Sequence, residues 1–238
     1  ASFRLAAEEM TRERAPLRWA ALQDNIGIAL RRQGEKKADP ALLKAAVEAF
    51  ELALQERRRD VVPAEWAATS GHLASAYWNL AQLSKDAAAL EHAITAARDA
   101  VEETPRDAFP RDWAMLRNNL GGMLAELAAM KSDPALYVQA ADEYRKALDV
   151  FNPDDAPFDW ARATGALGET LLEAGKLGKD SALLQQAKEI LDQTVEIWKV
   201  FGDEKRTRSA ELLASEAQLA LLSLDVDKRL KEAGGAKN

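Results

Sequence analysis

The stretch Pro16-Leu17-Arg18-Trp19-Ala20 decides the fold, because the chain repeats its pattern three more times. The other copies are Pro63-Ala64-Glu65-Trp66-Ala67, Pro110-Arg111-Asp112-Trp113-Ala114 and Pro157-Phe158-Asp159-Trp160-Ala161. Consecutive tryptophans of this pattern lie 47 positions apart, and they account for four of the six tryptophans in the chain. A period of this length is typical of proteins that stack one supersecondary unit many times.

Each copy predicts two helices. Proline suits the first turn of a helix, where its missing N–H would have no partner, so a first helix is expected to begin at each proline of the pattern. Aspartates 47 positions apart are expected to be the N-caps of the second helices, and they are Asp39, Asp86, Asp133 and Asp180. Two helices of about 15 to 20 residues per repeat follow, and such a pair buries its apolar face only against neighbouring pairs.

The period also predicts the organisation of the chain. Four repeats are expected at residues 16–62, 63–109, 110–156 and 157–204. Residues 1–15 match the second helix of a preceding repeat, which predicts a longer parent protein. Residues 205–232 are expected to form a capping helix that closes the array, and residues 233–238 a flexible tail.

Composition agrees with an all-α protein. The 238 residues are 47% hydrophobic but only 6% aromatic, and strong helix formers dominate the long runs. The formal net charge is -7, so a nucleic acid backbone would repel the chain as a whole. Residues 1–62 hold 12 basic against 10 acidic residues, whereas the remainder holds 20 against 29. One end is therefore mildly basic and the other acidic.

Several classes of site and location are excluded or disfavoured. The chain has no cysteine, which removes disulfides, thiol nucleophiles and thiolate metal ligands. His72 and His92 are the only histidines, and their spacing fits no metal motif. No segment approaches the ~18 apolar residues needed to cross a bilayer, so membrane insertion is not expected. A cytoplasmic location is expected, with the periplasm left open.

The spacing of large and small residues within a copy resembles the tetratricopeptide repeat. In the first copy the motif positions are Ile26, Gly27, Leu30, Ala46, Phe50 and Ala53. The family period is about 34 residues, so the chain is similar to a long-period bacterial variant with Pro-x-x-Trp-Ala openings. The extra residues are expected in the loop between the two helices and around the end of the second helix. The resemblance covers residues 3–222 and implies an α-solenoid of antiparallel helix pairs that forms a right-handed superhelix.

The resemblance further implies a binding groove along the first helices, where such arrays hold a peptide or protein segment. The positions carried over as candidate binding residues are Ile28, Arg31, Arg32, Trp78, Met115, Asn118, Asn119, Glu126, Glu169 and Leu172. The apolar members are expected to face a cleft open to water, as anchors on peptide-binding surfaces do. The glutamates, together with Glu173, would favour a basic segment and the arginines an acidic one, unless these charges are ordinary solvated side chains.

A known subset of the family binds the acidic tail of heat-shock chaperones through lysine, asparagine and arginine side chains. The matching positions here are Asp24, Ile28, His72, Met115 and Asn119, and only one of these five residues agrees with that clamp. The chaperone clamp is therefore rejected. The four repeated tryptophans are interpreted as packing residues, and Trp198 as a core or cap contact.

The sequence thus predicts a non-catalytic scaffold or adaptor that binds a protein or peptide and needs no cofactor or metal. The alternative is a sensor or regulatory domain that controls an attached enzyme or signalling output. An enzyme is not expected, because nucleophile, base and cofactor loop are missing. Self-association through the terminal half-repeat is left open.

Overall fold

A computed structural model of the chain describes residues 11–235, and every regular element within that range is an α-helix. This confirms the predicted all-α class. The helices are α1 (Pro16–Lys37), α2 (Pro40–Glu56), α3 (Pro63–Ser84), α4 (Ala87–Glu102), α5 (Pro110–Lys131), α6 (Pro134–Leu148), α7 (Pro157–Gly178), α8 (Ser181–Val200) and α9 (Glu204–Gly235).

The predicted helix starts and caps are confirmed. α1, α3, α5 and α7 each have 22 residues and begin at the prolines of the repeated pattern. The four predicted aspartates precede the second helices, and each side chain accepts a hydrogen bond from the backbone N–H two residues later, at 2.8 to 2.9 Å. These bonds satisfy N–H groups that the helix itself leaves without a partner.

The expectation that extra residues lengthen the loop inside each pair is wrong. Only Ala38 and Asp39 separate α1 from α2, because the run from Arg31 to Lys37 consists mostly of good helix formers and continues the first helix. Ala38 then ends α1 in the left-handed conformation, with φ of 50°. Lys85, Ser132 and Lys179 do the same at steps of 47 residues. The long period therefore comes from long first helices joined to second helices by tight turns.

Glycines show that the helices of a pair run antiparallel. A Cβ at Gly27 would lie 2.6 Å from the Phe50 ring, and a Cβ at Gly34 would lie 2.8 Å from Leu43. A step of seven residues forward along α1 therefore corresponds to a step of seven residues back along α2, as in an antiparallel pair. Gly168 and Gly175 of α7 meet Leu191 and Leu184 of α8 in the same way. Glycine at these positions allows large side chains of the second helix to approach the backbone of the first.

The chain forms two compact units, residues 1–116 and 117–238, and α5 contains the division between them. In the first unit α1 pairs with α2, α3 pairs with α4, and α2 packs on α3. Leu43, Ala46, Phe50 and Ala53 of α2 have no exposed surface. In the second unit the core contains Leu171, Leu184, Leu191 and Ala217 from α7, α8 and α9. The superhelix and its handedness stay a prediction.

α9 lies at the position of a first helix in the 47-residue step, and no second helix follows it within residues 11–235. On α7, Ala161, Gly168 and Gly175 lie against α8. The equivalent positions of α9 are Arg208, Ser215 and Leu222, and all three are exposed. Two of these three positions are polar, so the face that contacts α8 on α7 is partly polar on α9. That α9 caps the array stays a prediction. α9 has 32 residues and continues to Gly235, beyond the predicted end at residue 232.

Two predictions involve residues at the ends of the chain. Residues 1–10 of the predicted preceding helix lie outside the described residues, and residues 12–14 form a turn before α1. Residues 236–238 of the predicted tail also lie outside the described residues. The four repeat boundaries and the preceding half-repeat stay predictions.

Candidate functional site

Polar pairs connect neighbouring first helices in the first unit. Nη1 of Arg31 on α1 donates to Oδ1 of Asn79 on α3 at 3.2 Å, and also to Oε2 of Glu35 at 3.3 Å. Oδ1 of Asp24 lies 3.0 Å from Nδ1 of His72 on α3. The first helices therefore share one polar surface, on which Arg31 is held in place by its neighbours.

Asp24 is the centre of a buried charged cluster. Its residue exposure is 7%, and its Oδ2 lies 3.3 Å from Nη1 of Arg57, which also donates to Oγ1 of Thr69 at 2.5 Å. Burial alone would raise the pKa of Asp24, but the hydrogen bond from His72 and the charges of His72 and Arg57 outweigh it and lower the pKa. The cluster joins α1, the end of α2 and α3.

Sequence reasoning missed this cluster. Asp24 and His72 were positions of the rejected chaperone clamp, and no contact between them was predicted. A usable signal was present, because the positions equivalent to Asp24 hold Gly71, Asn118 and Gly165. A buried carboxylate that is present in just one copy requires a compensating partner that the other copies lack.

The other candidates of the first unit differ in accessibility. Met115 on α5 is 45% exposed and Arg32 on α1 is exposed, as expected for residues of an open surface. Ile28 and Trp78 are half-buried. Arg31 is mostly covered, and its buried Nε has no hydrogen-bond partner. The first helices of this unit thus offer Arg32 and Met115 as the accessible candidates.

Two candidates of the second unit are buried. Leu172 has no exposed surface and shares a core cluster with Ala214 and Ala217 of α9, so the expectation that it faces water is wrong. The reason is its place in the repeat: Leu172 is equivalent to Arg31, and this position faces the next first helix. Asn118 is also buried, at 7% exposure, whereas Asn119 and Glu126 of α5 are half-buried.

A group of carboxylates lies on α7 and α9. Nζ of Lys176 donates to Oε1 of Glu173 at 2.7 Å and to Oε1 of Glu216 at 2.6 Å. Glu169 is accessible to solvent, but the surrounding helices displace much of its hydration, and this burial together with Glu173 and Glu216 raises its pKa. The structure thus groups Glu169 and Glu173 with Glu216, which sequence reasoning did not consider. Lys176 thus pairs with two of the three carboxylates, Glu173 and Glu216.

An arginine side chain stacks on each of the first three repeated tryptophans. The distance from the guanidinium carbon to the ring centre is 5.0 Å for Arg12 and Trp19, 5.2 Å for Arg59 and Trp66, and 5.1 Å for Arg106 and Trp113. These arginines are themselves 47 residues apart, a signal that sequence analysis did not connect with the tryptophans.

The fourth copy lacks this arginine. Pro153 stands at the arginine position, and Trp160 packs instead against a cluster that contains Trp198. Trp198 is 4% exposed, which confirms it as a core residue, and Arg206 of α9 lies over its ring at 4.9 Å. Arg206 also lies over the Phe158 ring, at 5.0 Å.

The described residues 11–235 hold neither a candidate metal site nor a membrane-spanning helix. Within this range, no group of three or more histidine, aspartate or glutamate side chains could hold a metal ion. None of the helices described is long and apolar enough to span a bilayer. An open depression of about 760 Å³ lies between the start of α8 and the second half of α9, next to Lys179, Gln185, Leu222 and Lys228.

Comparisons with known proteins add little to this picture. No family profile matches the chain, and no curated protein matches it. The de novo designed helical repeat protein DHR64 is 17% identical over 91% of this chain and 96% of its own, with a TM-score of 0.32. The DHF58 filament is 16% identical over 91% of this chain and 97% of its own, with a TM-score of 0.31. Scores this low do not establish a shared topology. The helical-repeat class rests on the helix starts, caps and turns that recur every 47 residues.

Proposed function

We propose that the chain is a non-catalytic interaction module of the tetratricopeptide-like type, and that it binds a basic segment of a protein or peptide on the first helices of its second unit. The carboxylate group on α7 and α9 carries this proposal. Fold class alone would not suffice, since helical repeats serve many functions.

The charge of this group is not balanced from within the described residues. Glu173 and Glu216 share Lys176, and Glu169 has no ion-pair or hydrogen-bond partner among the residues that the structure describes. The raised pKa of Glu169 means that its surroundings disfavour the ionised form. A lysine or arginine of a ligand would stabilise the ionised form and would form a charge-assisted hydrogen bond.

The first unit makes a weaker case. Arg31 would favour an acidic segment, but its guanidinium is already engaged by Asn79 and Glu35. Arg32 is exposed without such a network, and Met115 is an accessible apolar anchor. We therefore propose that Arg32 and Met115 make additional contacts with the ligand, and that the second unit determines the preference for a basic segment.

The test compares fluorescence anisotropy titrations of labelled peptides of equal length, one set rich in lysine and arginine and one rich in aspartate and glutamate. The chain is expected to bind the basic set more tightly, with an affinity that falls as salt is added. The double variant Glu169→Gln/Glu173→Gln is expected to weaken that binding about tenfold, which corresponds to ~1.4 kcal/mol.

The matched control is Glu189→Gln/Glu196→Gln, which removes the same number of charges from exposed positions of α8. Equal binding by both double variants would show that net charge, and not this group, attracts the peptide. Preference for the acidic set would refute the proposal outright.

The regulatory alternative makes a different prediction for the bound state. A domain that controls an attached enzyme needs two conformations with different affinity for the ligand. Small-angle scattering that changes when the peptide binds would favour this alternative, whereas unchanged scattering would favour a docking module.

A further inference from the structure

The last helix carries a second apolar surface in addition to the one that joins it to the fold. Ala210, Ala214 and Ala217 of α9 are buried in the core clusters of the second unit. Other apolar side chains of α9 are 52% to 72% exposed, and they are Leu212, Leu219, Leu222, Val226 and Leu230. We call these five residues the α9 stripe.

The α9 stripe has the spacing of a helix contact surface. Its members follow one another at intervals of seven, three, four and four residues, which places them on one side of the helix. From Leu212 to Leu230 the stripe is about 27 Å long, at ~1.5 Å per residue. Ser215 interrupts the stripe between Leu212 and Leu219, and the four apolar residues from Leu219 to Leu230 follow one another without a gap. An exposed apolar surface of this kind marks an interaction site more often than scattered exposed leucines do.

Charged residues beside the stripe indicate which partner it fits. Glu211 and Arg229 are 18 residues apart, which is five helical turns, so both lie on the same edge of the stripe and both are exposed. If a second α9 lies antiparallel to the first, with a two-fold axis at residue 220, Glu211 of each copy is opposite Arg229 of the other. Arg229 already pairs with Asp225 of its own helix at 2.8 Å, in an exposed i,i+4 pair, so each Glu211 joins this pair and two equivalent charge clusters form, as an isologous interface requires.

The apolar residues fit the same alignment. Leu212 of one copy is then level with the gap between Val226 and Leu230 of the other, and Leu219 and Leu222 of both copies meet around the axis. A parallel alignment is disfavoured, because Glu211 would then be opposite Glu216 of the other copy, at positions that face each other in parallel helix pairs.

We propose that the α9 stripe is the surface through which two copies of this chain associate, as an antiparallel pair of α9 helices related by a two-fold axis. This surface is at the opposite end of the sequence from the terminal half-repeat that the sequence analysis considered. Glu216 of the carboxylate group borders the stripe, but the variants that test the two proposals change different residues, so the two proposals can fail separately.

Sedimentation equilibrium of the full chain tests the association. The wild type is expected to approach twice the monomer mass at about 100 μM, where even micromolar interfaces are populated. Leu219→Glu is expected to be monomeric, whereas Val200→Glu, at an 89% exposed position of α8, is expected to associate like the wild type. A monomeric wild type at this concentration overturns the proposal, and so does a dimer that Leu219→Glu leaves unchanged.

A charge exchange tests the alignment. Glu211→Arg alone and Arg229→Glu alone each place like charges opposite one another, so each is expected to weaken the dimer at least fivefold. The double variant Glu211→Arg/Arg229→Glu restores opposite charges and is expected to recover most of the wild-type affinity. If the double variant loses as much dimer affinity as the two single variants together, the antiparallel pairing is excluded.

Cysteine cross-linking tests the direction independently, since the chain has no cysteine of its own. Leu219→Cys is expected to form a disulfide-linked dimer on oxidation. Leu212→Cys is expected to form none with itself, because the two sulfurs would be about 24 Å apart, at ~1.5 Å per residue. An equal mixture of Leu212→Cys and Leu230→Cys is expected to cross-link. A self-linked Leu212→Cys dimer would show a parallel arrangement and overturn the proposal.

Discussion

Arg12 stacks on Trp19 and binds Glu56 at the same time. Its guanidinium carbon lies 5.0 Å from the centre of the Trp19 ring, and its Nε donates to Oε1 of Glu56 at 2.6 Å. Gln55 accepts a further bond from Nη2 of Arg12 at 2.7 Å. One side chain thus ties the turn before α1 to the start of α1 and the end of α2.

Removal of this arginine is expected to lower stability. Arg12→Ala should reduce the free energy of unfolding by about 1 kcal/mol, since it removes one cation–π contact and a partly exposed ion pair. Arg12→Lys should give an intermediate loss, because lysine keeps the charge but cannot stack and bind both acceptors in the same geometry. Urea unfolding measures both. Arg14→Ala, at a nearby exposed arginine, is the control, and an equal effect there would contradict this role.

The close approach at Gly27 gives a second prediction. Gly27→Ala places a Cβ 2.6 Å from the Phe50 ring, so we expect a loss of about 1 to 3 kcal/mol from overpacking despite the better helix propensity of alanine. At Gly178, a Cβ meets nothing closer than 3.9 Å. Gly178→Ala should therefore be neutral or stabilising by up to about 1 kcal/mol. Thermal unfolding of the two variants checks the contrast, and similar changes in Tm would contradict it.

The cluster around Asp24 predicts a pH-dependent contribution to stability. Asp24→Asn removes the carboxylate that pairs with Arg57 and hydrogen-bonds with His72, and we expect a loss of about 2 kcal/mol at pH 7. The folded protein lowers the pKa of Asp24 below its unfolded value of about 3.9. The contribution is therefore complete above the unfolded pKa and is lost as pH falls through the folded pKa.

Urea unfolding of wild type and Asp24→Asn between pH 7 and pH 3 measures this dependence. The difference between them should stay constant down to about pH 5 and then shrink. Asp60→Asn removes an aspartate from an exposed pair with Arg58 and should leave stability unchanged at pH 7. A difference between wild type and Asp24→Asn that grows between pH 5 and pH 3 would show that the sign of the pKa shift is wrong.

Leu172 and Leu219 occupy equivalent positions of the 47-residue step but differ in burial, at 0% and 67% exposure. Leu172→Ala should lower the free energy of unfolding by about 2 to 5 kcal/mol, because it opens a cavity in the core of the second unit. Leu219→Ala should change it by less than about 0.5 kcal/mol at a concentration where the chain is monomeric. Equal losses would show that both leucines are buried in solution.

The features predicted correctly are those encoded locally and repeated four times. A proline at N1 and an aspartate at the N-cap act on backbone groups two or three residues away, so the starts of α1 and α2 could be found without knowledge of any other helix. The predicted length of the turn at Ala38 was wrong, because the sequence pattern shows where the second helix begins but not how far the first helix continues.

The residues of the candidate site were harder to predict, because they depend on the neighbouring helix. Leu172 was assigned to an open groove by its position in the repeat, but α9 covers it. Glu216 joins Glu173 through Lys176, although Lys176 and Glu216 are 40 residues apart in sequence. No local sequence pattern predicts a contact between residues so far apart in sequence.

The sequence by itself determined the class of helical protein, the period, the helix starts and the caps, since each depends on steric limits and hydrogen bonds within a few residues. Tertiary structure alone decided which polar side chains meet, which leucines are covered and where charge is left unbalanced. The physical reason is that burial and electrostatic interaction depend on distance in space, and the packing of one helix against the next sets that distance.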